Sequence, residues 1–418
     1  MTPFAAPPRN PGVVGCRLAD YVVLATSPEV PVIAADYWEL SVPAYRKVRE
    51  AVRDLAFAWP DAAGPYARLC RDASDEAAHR ELAAVLTTML ADQPAVLAST
   101  ADLLAEADPT IWIDHVMGTA FTSRSQACGL AALRSLPPAP PRPAQSHPVL
   151  VNVVVPFRDR QPGGRTRNLL ACLRALRDQD LPSENYRVTV VETDDQPRAG
   201  ASLSGLSDRH LFGFNPGIFN KSWAVNLGLR DGSTSAELTC VLDADILVER
   251  SFLRVNAARL SGAHDAHLPY QHMYSLDEPS SAHAIGVRLG LTPTRPGASR
   301  GAAAAGVDAA GLRGLLLRET PGACLWARTG VLTGLGGFDE RFSGWGGEDD
   351  DVVARLRRNV RLVRYDDQLL HLSHPRPAMT NADGTLFNAH LADAHQSDPW
   401  NGANGFGDPA RYRQLGRP

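Results

Sequence analysis

Residues 149–155 read VLVNVVV, and this run constrains the fold more than any other stretch of the chain. A near-continuous apolar strand is buried on both faces, which requires helices above and below its sheet. Just before it, residues 136–148 read LPPAPPRPAQSHP. Such proline density continues neither a helix nor a central strand, so this segment reads as an extended linker. After the run, residues 165–177 predict a helix with Leu169, Leu173 and Leu176 on one face. A strand follows at 187–191 and a strand-like stretch at 209–214. Next come a helix over 220–230 ended by Gly232 and a strand at 237–242. The alternation predicts an α/β fold, a mostly parallel sheet flanked by helices. Ligands in such sheets bind at the carboxyl ends of the strands.

The chain has 418 residues, enough for about two or three domains. Residues 1–135 read as a mainly helical N-terminal domain, with apolar residues at helical spacing over 45–57 and 76–90. Short β-branched stretches at 21–24 and 30–33 predict a small paired sheet there. No chemical motif stands out in this part, which suits oligomerisation or acceptor recognition. Residues 149–378 form the expected catalytic domain and 379–418 an irregular tail. Residues 297–314, GASRGAAAAGVDAAGLRG, read as a mobile surface insertion or a loop that orders over a substrate.

Composition narrows the function classes. Lysine and arginine number 42 against 46 acidic residues, a net charge of −4, which is no footprint for nucleic acid. No run of about 18 apolar residues is present to span a bilayer. The N-terminus lacks the charged and apolar regions of a secretory signal. Six cysteines lie far apart without a CxxC pair, as expected of reduced thiols in a cytoplasm. The alanine- and arginine-rich composition suggests a GC-rich bacterial source.

Four motifs carry chemistry. Asp243-Ala244-Asp245 directly follows the apolar strand LTCVL, and carboxylates at i and i+2 on a strand end point toward one site. Buried together they would repel, so a cation is the simplest partner. Hard oxygen ligands suit Mn²⁺ or Mg²⁺, which in turn suit a diphosphate. His371-Leu372-Ser373-His374 follows a strand at 362–365 and a short polar turn, and a neutral imidazole there can complete a metal shell. Residues 344–351, GWGGEDDD, place three glycines and Trp345 before a helix opened by four carboxylates. The helix N-terminus stabilises that charge, the tryptophan offers a platform for a sugar ring, and a carboxylate can take a proton from a hydroxyl nucleophile. Pro156-Phe157-Arg158-Asp159-Arg160 ends the first strand, where arginine is placed to meet phosphate oxygens.

Taken in order, VPFRDR (155–160), FNKSWAVNLGL (219–229), DAD (243–245), TGLGGFDERFSGWGGEDDDVVARL (333–356) and HLSH (371–374) resemble the β-1,4-galactosyltransferase family of GT-A glycosyltransferases. The polypeptide N-acetylgalactosaminyltransferases are similar over the same region. The resemblance implies a metal-dependent enzyme using Mn²⁺ or Mg²⁺ and a UDP-sugar donor. It implies nucleotide or donor contacts at Pro156, Phe157, Arg158, Arg160, Phe219, Asn220, Asp243 and Trp345. Glu192 or Asp194, after the second strand, is the candidate to face the uracil. The implied metal ligands are Asp243, Asp245 and His374, with His371 where the family has a methionine. Asp349 and Glu348 are the implied catalytic residues, Asp349 as the base, and Trp345, Glu348 and Asp350 the implied acceptor contacts. The implied reaction moves a hexose or N-acetylhexosamine to a hydroxyl of a natural product, saccharide or peptide, with inversion. A retaining N-acetylhexosamine transferase and a non-catalytic sugar-nucleotide module stand as alternatives.

Overall fold

The structure is a computed structural model that describes residues 9–33, 35–123, 128–141, 149–161, 164–203, 205–231, 236–292, 305–376, 384–385, 387–391, 400–402 and 405–413. Its strands are β1 (Ile113–Met117), β2 (Val149–Phe157), β3 (Tyr186–Asp194), β4 (Arg209–Phe214), β5 (Ala236–Leu242), β6 (Ile246–Leu247), β7 (Ala266–Leu276), β8 (Arg313–Arg318), β9 (Cys324–Arg328) and β10 (Leu362–His371). The chain divides into two compact units, one of Met1–Met117 with Arg313–Arg318, the other of Gly118–Leu312 with Glu319–Pro418.

The first unit is mainly helical, as the apolar spacing predicts. Its helices are Pro11–Thr26, Val30–Ile33, Ala35–Ala58, Pro60–Arg71, Glu76–Asp92 and Pro94–Ala107. Proline opens three of them, where its fixed φ suits the first turn and its missing N–H costs nothing. The Asn10 and Asp75 side chains cap two starts by accepting from backbone N–H groups. The small sheet predicted at 21–24 and 30–33 is not there, since both stretches are helical. Tyr21, Val22, Val23 and Leu24 are all buried, so packing overrides the β-preference of the branched side chains. The strand pair of this unit is instead β1 with β8, antiparallel. The unit stops at Met117, so the helix Leu130–Arg134 falls in the second.

The second unit shows the expected α/β architecture. A parallel block runs β5–β2–β3–β4, the helix Thr166–Arg177 connects β2 to β3, and the helix Lys221–Arg230 connects β4 to β5. Val154, Val191 and Ala224 pack between strand and helix. β9 extends the block antiparallel to β5 and pairs with β7. β10 lies parallel to β7 and antiparallel to β6.

The strand predicted at 362–365 with a polar turn after it is one longer strand. β10 runs unbroken to His371, with register shifts on either side of Asp367. These absorb the polar residues, and Asp367 turns out to pair with Arg259 at 2.6 Å. His371 therefore ends a strand. The predicted stop at Gly232, residues 142–148 of the linker and 297–304 of the insertion lie outside the described residues. The insertion's end, Arg313 and Gly314, begins β8. Among the described residues no helix is long and apolar enough to cross a membrane.

Candidate active site

The carboxyl ends of β2 and β5 open into one cavity of about 460 Å³. It gathers Pro156, Phe157, Arg158 and Arg160 from the end of β2, Phe219, and Asp243 and Asp245 from the end of β5. Trp345, Glu348, Asp349, His371 and His374 also line it. Twelve of the residues singled out in the sequence thus line one cavity. Asn220, Glu192 and Asp350 are not on its wall.

Asp245, His371 and His374 converge, with one ligand atom from each lying within 4.8 Å of the others. His374 Nε2 is 3.1 Å from Asp245 Oδ2, and His371 Nε2 is 3.5 Å from Oδ1. Burial works against the charged carboxylate, but the two imidazoles with Arg165 and Arg376 hold the Asp245 carboxyl down at about 2. Burial pulls His371 down to about 3 and lowers His374 as well. At pH 7 the group is one carboxylate and two neutral imidazoles, the protonation a divalent cation needs. Two observations fit a cation here. Asp245 Oδ1 and His371 Nδ1 are buried without a hydrogen-bond partner. His374 Nδ1 lies 2.9 Å from the Pro375 carbonyl, which fixes its proton there and leaves the Nε2 lone pair facing Asp245. The segment is held from the helix Thr166–Arg177, where Arg167 and Asn168 both donate to the Ser373 carbonyl at 3.0 Å.

Asp243 does not join this trio. Its carboxylate lies 3.0 Å from the Lys221 ammonium, which also contacts Asp349 at 2.9 Å and Glu348 at 3.9 Å. One partly buried cation therefore sits among three carboxylates. Burial and the Asp349 charge push Glu348 up to about 8. Burial raises Asp243 to about 6 against the pull of Lys221.

The acidic string divides by helix geometry. Glu348 and Asp349 face the cavity, Asp350 is exposed, and Asp351 is buried against Arg355 at 2.6 Å. Arg355 in turn donates to the Gly337 carbonyl at 2.9 Å, tying the helix to the GGF turn. Gly347 caps this helix with φ of 92°, a conformation that glycine adopts freely. Gly322 makes room for Asp349: a Cβ there would lie 2.5 Å from Asp349 Oδ2.

Several expected contacts are scaffolding. Arg158 donates to the carbonyls of Thr193 (2.6 Å), Asn215 (2.8 Å) and Gly217 (2.8 Å), and its guanidinium covers the Phe219 ring. Arg160 bonds Asp194 at 2.8 Å and the Pro216 carbonyl at 3.0 Å. Glu192 is fully buried, accepts from the Arg198 and Ala199 amides, and meets His210 at 2.9 Å, so it does not face a uracil in this cavity. Asn220 is an N-cap, accepting from the Trp223 amide at 2.7 Å and donating to the Glu340 carbonyl at 2.8 Å. Its place is beneath the site rather than in it.

The lining residues to which the motif reading gave no role include Lys221, Arg165, Arg376 and Phe387. Lys221 follows Phe219-Asn220 in the string FNK, so that string held the signal. Arg165 and Arg376 lie close enough to lower Asp245 electrostatically and are the cations best placed for an anion beside it.

The first unit holds a second group of the same composition, which motif reading also missed. Asp20 Oδ1 lies 2.8 Å from His79 Nε2 and 2.7 Å from His115 Nδ1, all three residues being buried. Its outer shell differs from that of His374. His115 Nε2 accepts from Arg313 Nε at 3.4 Å, which leaves the proton on Nδ1 to be donated to Asp20. Hydrogen bonds from both imidazoles outweigh burial and lower Asp20. Hydrogen bonds link the group across two helices and β1, while His79 Nδ1 is buried without a hydrogen-bond partner.

Residues 322–376 match the family model described as the N-terminal domain of galactosyltransferase. No curated protein sequence matches the chain. Among solved structures, S. aureus TarS is similar at 16% identity and a TM-score of 0.37, over 54% of this chain and 37% of that one. The chain thus spans well under half the length of TarS. TarS 1–349 in complex with UDP is similar at 14% identity and a TM-score of 0.37, over 65% of this chain and 76% of that one. The catalytic domain of Drosophila beta1,4-galactosyltransferase 7, in complex with xylobiose, is similar at 15% identity and a TM-score of 0.28, over 63% of this chain and 79% of that one.

Proposed function

We propose that this protein is a metal-dependent glycosyltransferase that moves a hexose or N-acetylhexosamine from a UDP-sugar to an acceptor hydroxyl with inversion. The observation that carries the reading is that one cavity holds both the Asp245–His371–His374 trio and Asp349 with its Lys221 partner. The family match over 322–376 supports it, since it contains Glu348, Asp349, His371 and His374.

Asp245, His371 and His374 would hold Mn²⁺ or Mg²⁺, which when bound neutralises charge on a departing diphosphate. Arg165 and Arg376 line the same part of the cavity and attract the diphosphate. Lys221 holds the Asp349 carboxylate against the floor of the site. Asp349 accepts the proton of the acceptor hydroxyl as that oxygen attacks the anomeric carbon. The bond from this carbon to the diphosphate breaks on the opposite face, UDP leaves with the electron pair, and the configuration inverts. Trp345 offers a flat apolar face to the sugar rings.

The test is a panel of UDP-sugars and hydroxyl acceptors assayed for UDP release with Mn²⁺, with the product's anomeric configuration read by NMR. Asp349→Asn is expected to abolish transfer while UDP still binds in calorimetry. Loss of UDP binding in that variant would make Asp349 a structural residue, and a retained configuration would remove it as the base of a single displacement.

A further inference from the structure

The motifs end at His374, yet the described residues of the tail return to the glycine loop. Asn388 donates from Nδ2 to the carbonyls of Trp345 (3.2 Å) and Gly346 (2.7 Å). Its Oδ1 accepts from the Ser343 amide at 3.1 Å. One carboxamide therefore holds both limbs of the turn that carries Trp345. An amide side chain suits this because it offers two N–H donors and an acceptor at once. Phe387, its neighbour, lays its ring on Gly344 and lines the cavity. Asn388 is itself locked by the short 3₁₀ turn Ala389–Leu391, where the Leu391 amide donates to the Asn388 carbonyl at 2.9 Å and the Leu391 side chain is buried.

The loop needs such a tether. Gly344, Gly346 and Gly347 all have positive φ, from 82° to 92°, and glycine leaves a backbone many alternatives. On its other side the turn is fixed by the Gly344 amide donating to the Phe219 carbonyl at 2.8 Å. Remove Asn388, and two carbonyls and one amide of the turn lose this partner together.

We infer that Asn388 is a positioning residue for sugar transfer, clamping residues 343–346 so that Trp345 faces the bound sugar and acceptor. This rests on the transferase reading above. Asn388 does not line the cavity, so its effect passes through the loop rather than through contact with substrate.

The experiment uses the full chain with Asn388→Ala and Asn388→Asp. The aspartate keeps the acceptor for Ser343 but loses both donors, so both variants are expected to fail alike. Hydrogen exchange at the amides of 343–347 is read first, because it needs no substrate. Faster exchange there, with an unchanged thermal midpoint, is expected in both variants, and unchanged exchange overturns the clamp. Kinetics follow with a donor and acceptor that the wild type turns over. The KM for the acceptor is expected to rise about tenfold or more, as small misplacements near reacting groups do, with the UDP affinity by calorimetry unchanged. An acceptor KM within about twofold of the wild type, or a parallel loss of UDP affinity, overturns the positioning role. A wild type that transfers no sugar sinks the transferase reading, and the exchange result alone then decides whether Asn388 clamps the loop.

Discussion

Lys221 carries its ammonium among Asp243, Glu348 and Asp349, and the consequences are read residue by residue. A single cation does not neutralise three partly buried carboxylates. Glu348, raised to about 8, is the one kept protonated near neutrality. An acid whose folded value lies above its unfolded one binds more protons when folded, so its contribution is full at low pH. That contribution is lost as pH rises through about 8. Glu348→Gln removes this dependence. The thermal midpoint of the variant, relative to the wild type, is expected to climb between pH 5 and pH 9. A difference constant across that range would show that Glu348 is ionised throughout. The carboxylates were legible in the sequence as a string of like charge. Their division into cavity-facing, exposed and Arg355-paired members was not, because it depends on helix phase and on a salt bridge one turn away. Lys221 was missed because a lysine at a helix start ordinarily reads as a solvated side chain.

Elements were easier to read than their joints. The run at 149–155 fixed β2 and with it the parallel block, because an apolar stretch has few other uses in a soluble fold. The HLSH segment was legible as chemistry, but the residues just before it were misread as a turn, since the polar residues of β10 hide a strand whose register shifts accommodate them. The stretches at 21–24 and 30–33 were misread because branched residues within a helix look like a strand when seen alone. The helix Glu348–Asn359 gives an element-scale prediction. Its cap, Gly347, combines φ of 92° with a position where a Cβ would lie 2.6 Å from the Phe342 ring. Gly347→Ala is expected to cost about 1–3 kcal/mol from strain alone, seen as a lower midpoint in urea unfolding. A variant as stable as the wild type would show that the turn has another accessible conformation.

At the scale of the whole molecule, the described residues form the Asp-His-His combination twice, once in each unit. What separates the two is the partner of the outer imidazole nitrogen. A carbonyl beside His374 turns its lone pair inward, whereas the Arg313 guanidinium beside His115 turns a proton inward. Equilibrium dialysis with Mn²⁺ is therefore expected to find one ion per chain, lost in Asp245→Asn and kept in Asp20→Asn. A second ion that Asp20→Asn removes would contradict the assignment. Sequence reading had no access to this distinction, because residues 20, 79, 115 and 313 share no local motif and meet only through the fold.

The most direct measurement of the central claim is UDP release from a UDP-sugar in the presence of a hydroxyl acceptor, with and without Mn²⁺, for the wild type, Asp245→Asn and Asp349→Asn. The account predicts acceptor-dependent release by the wild type, lost on chelation and in both variants, with UDP binding kept in Asp349→Asn. Release that persists without metal and in Asp349→Asn would contradict it.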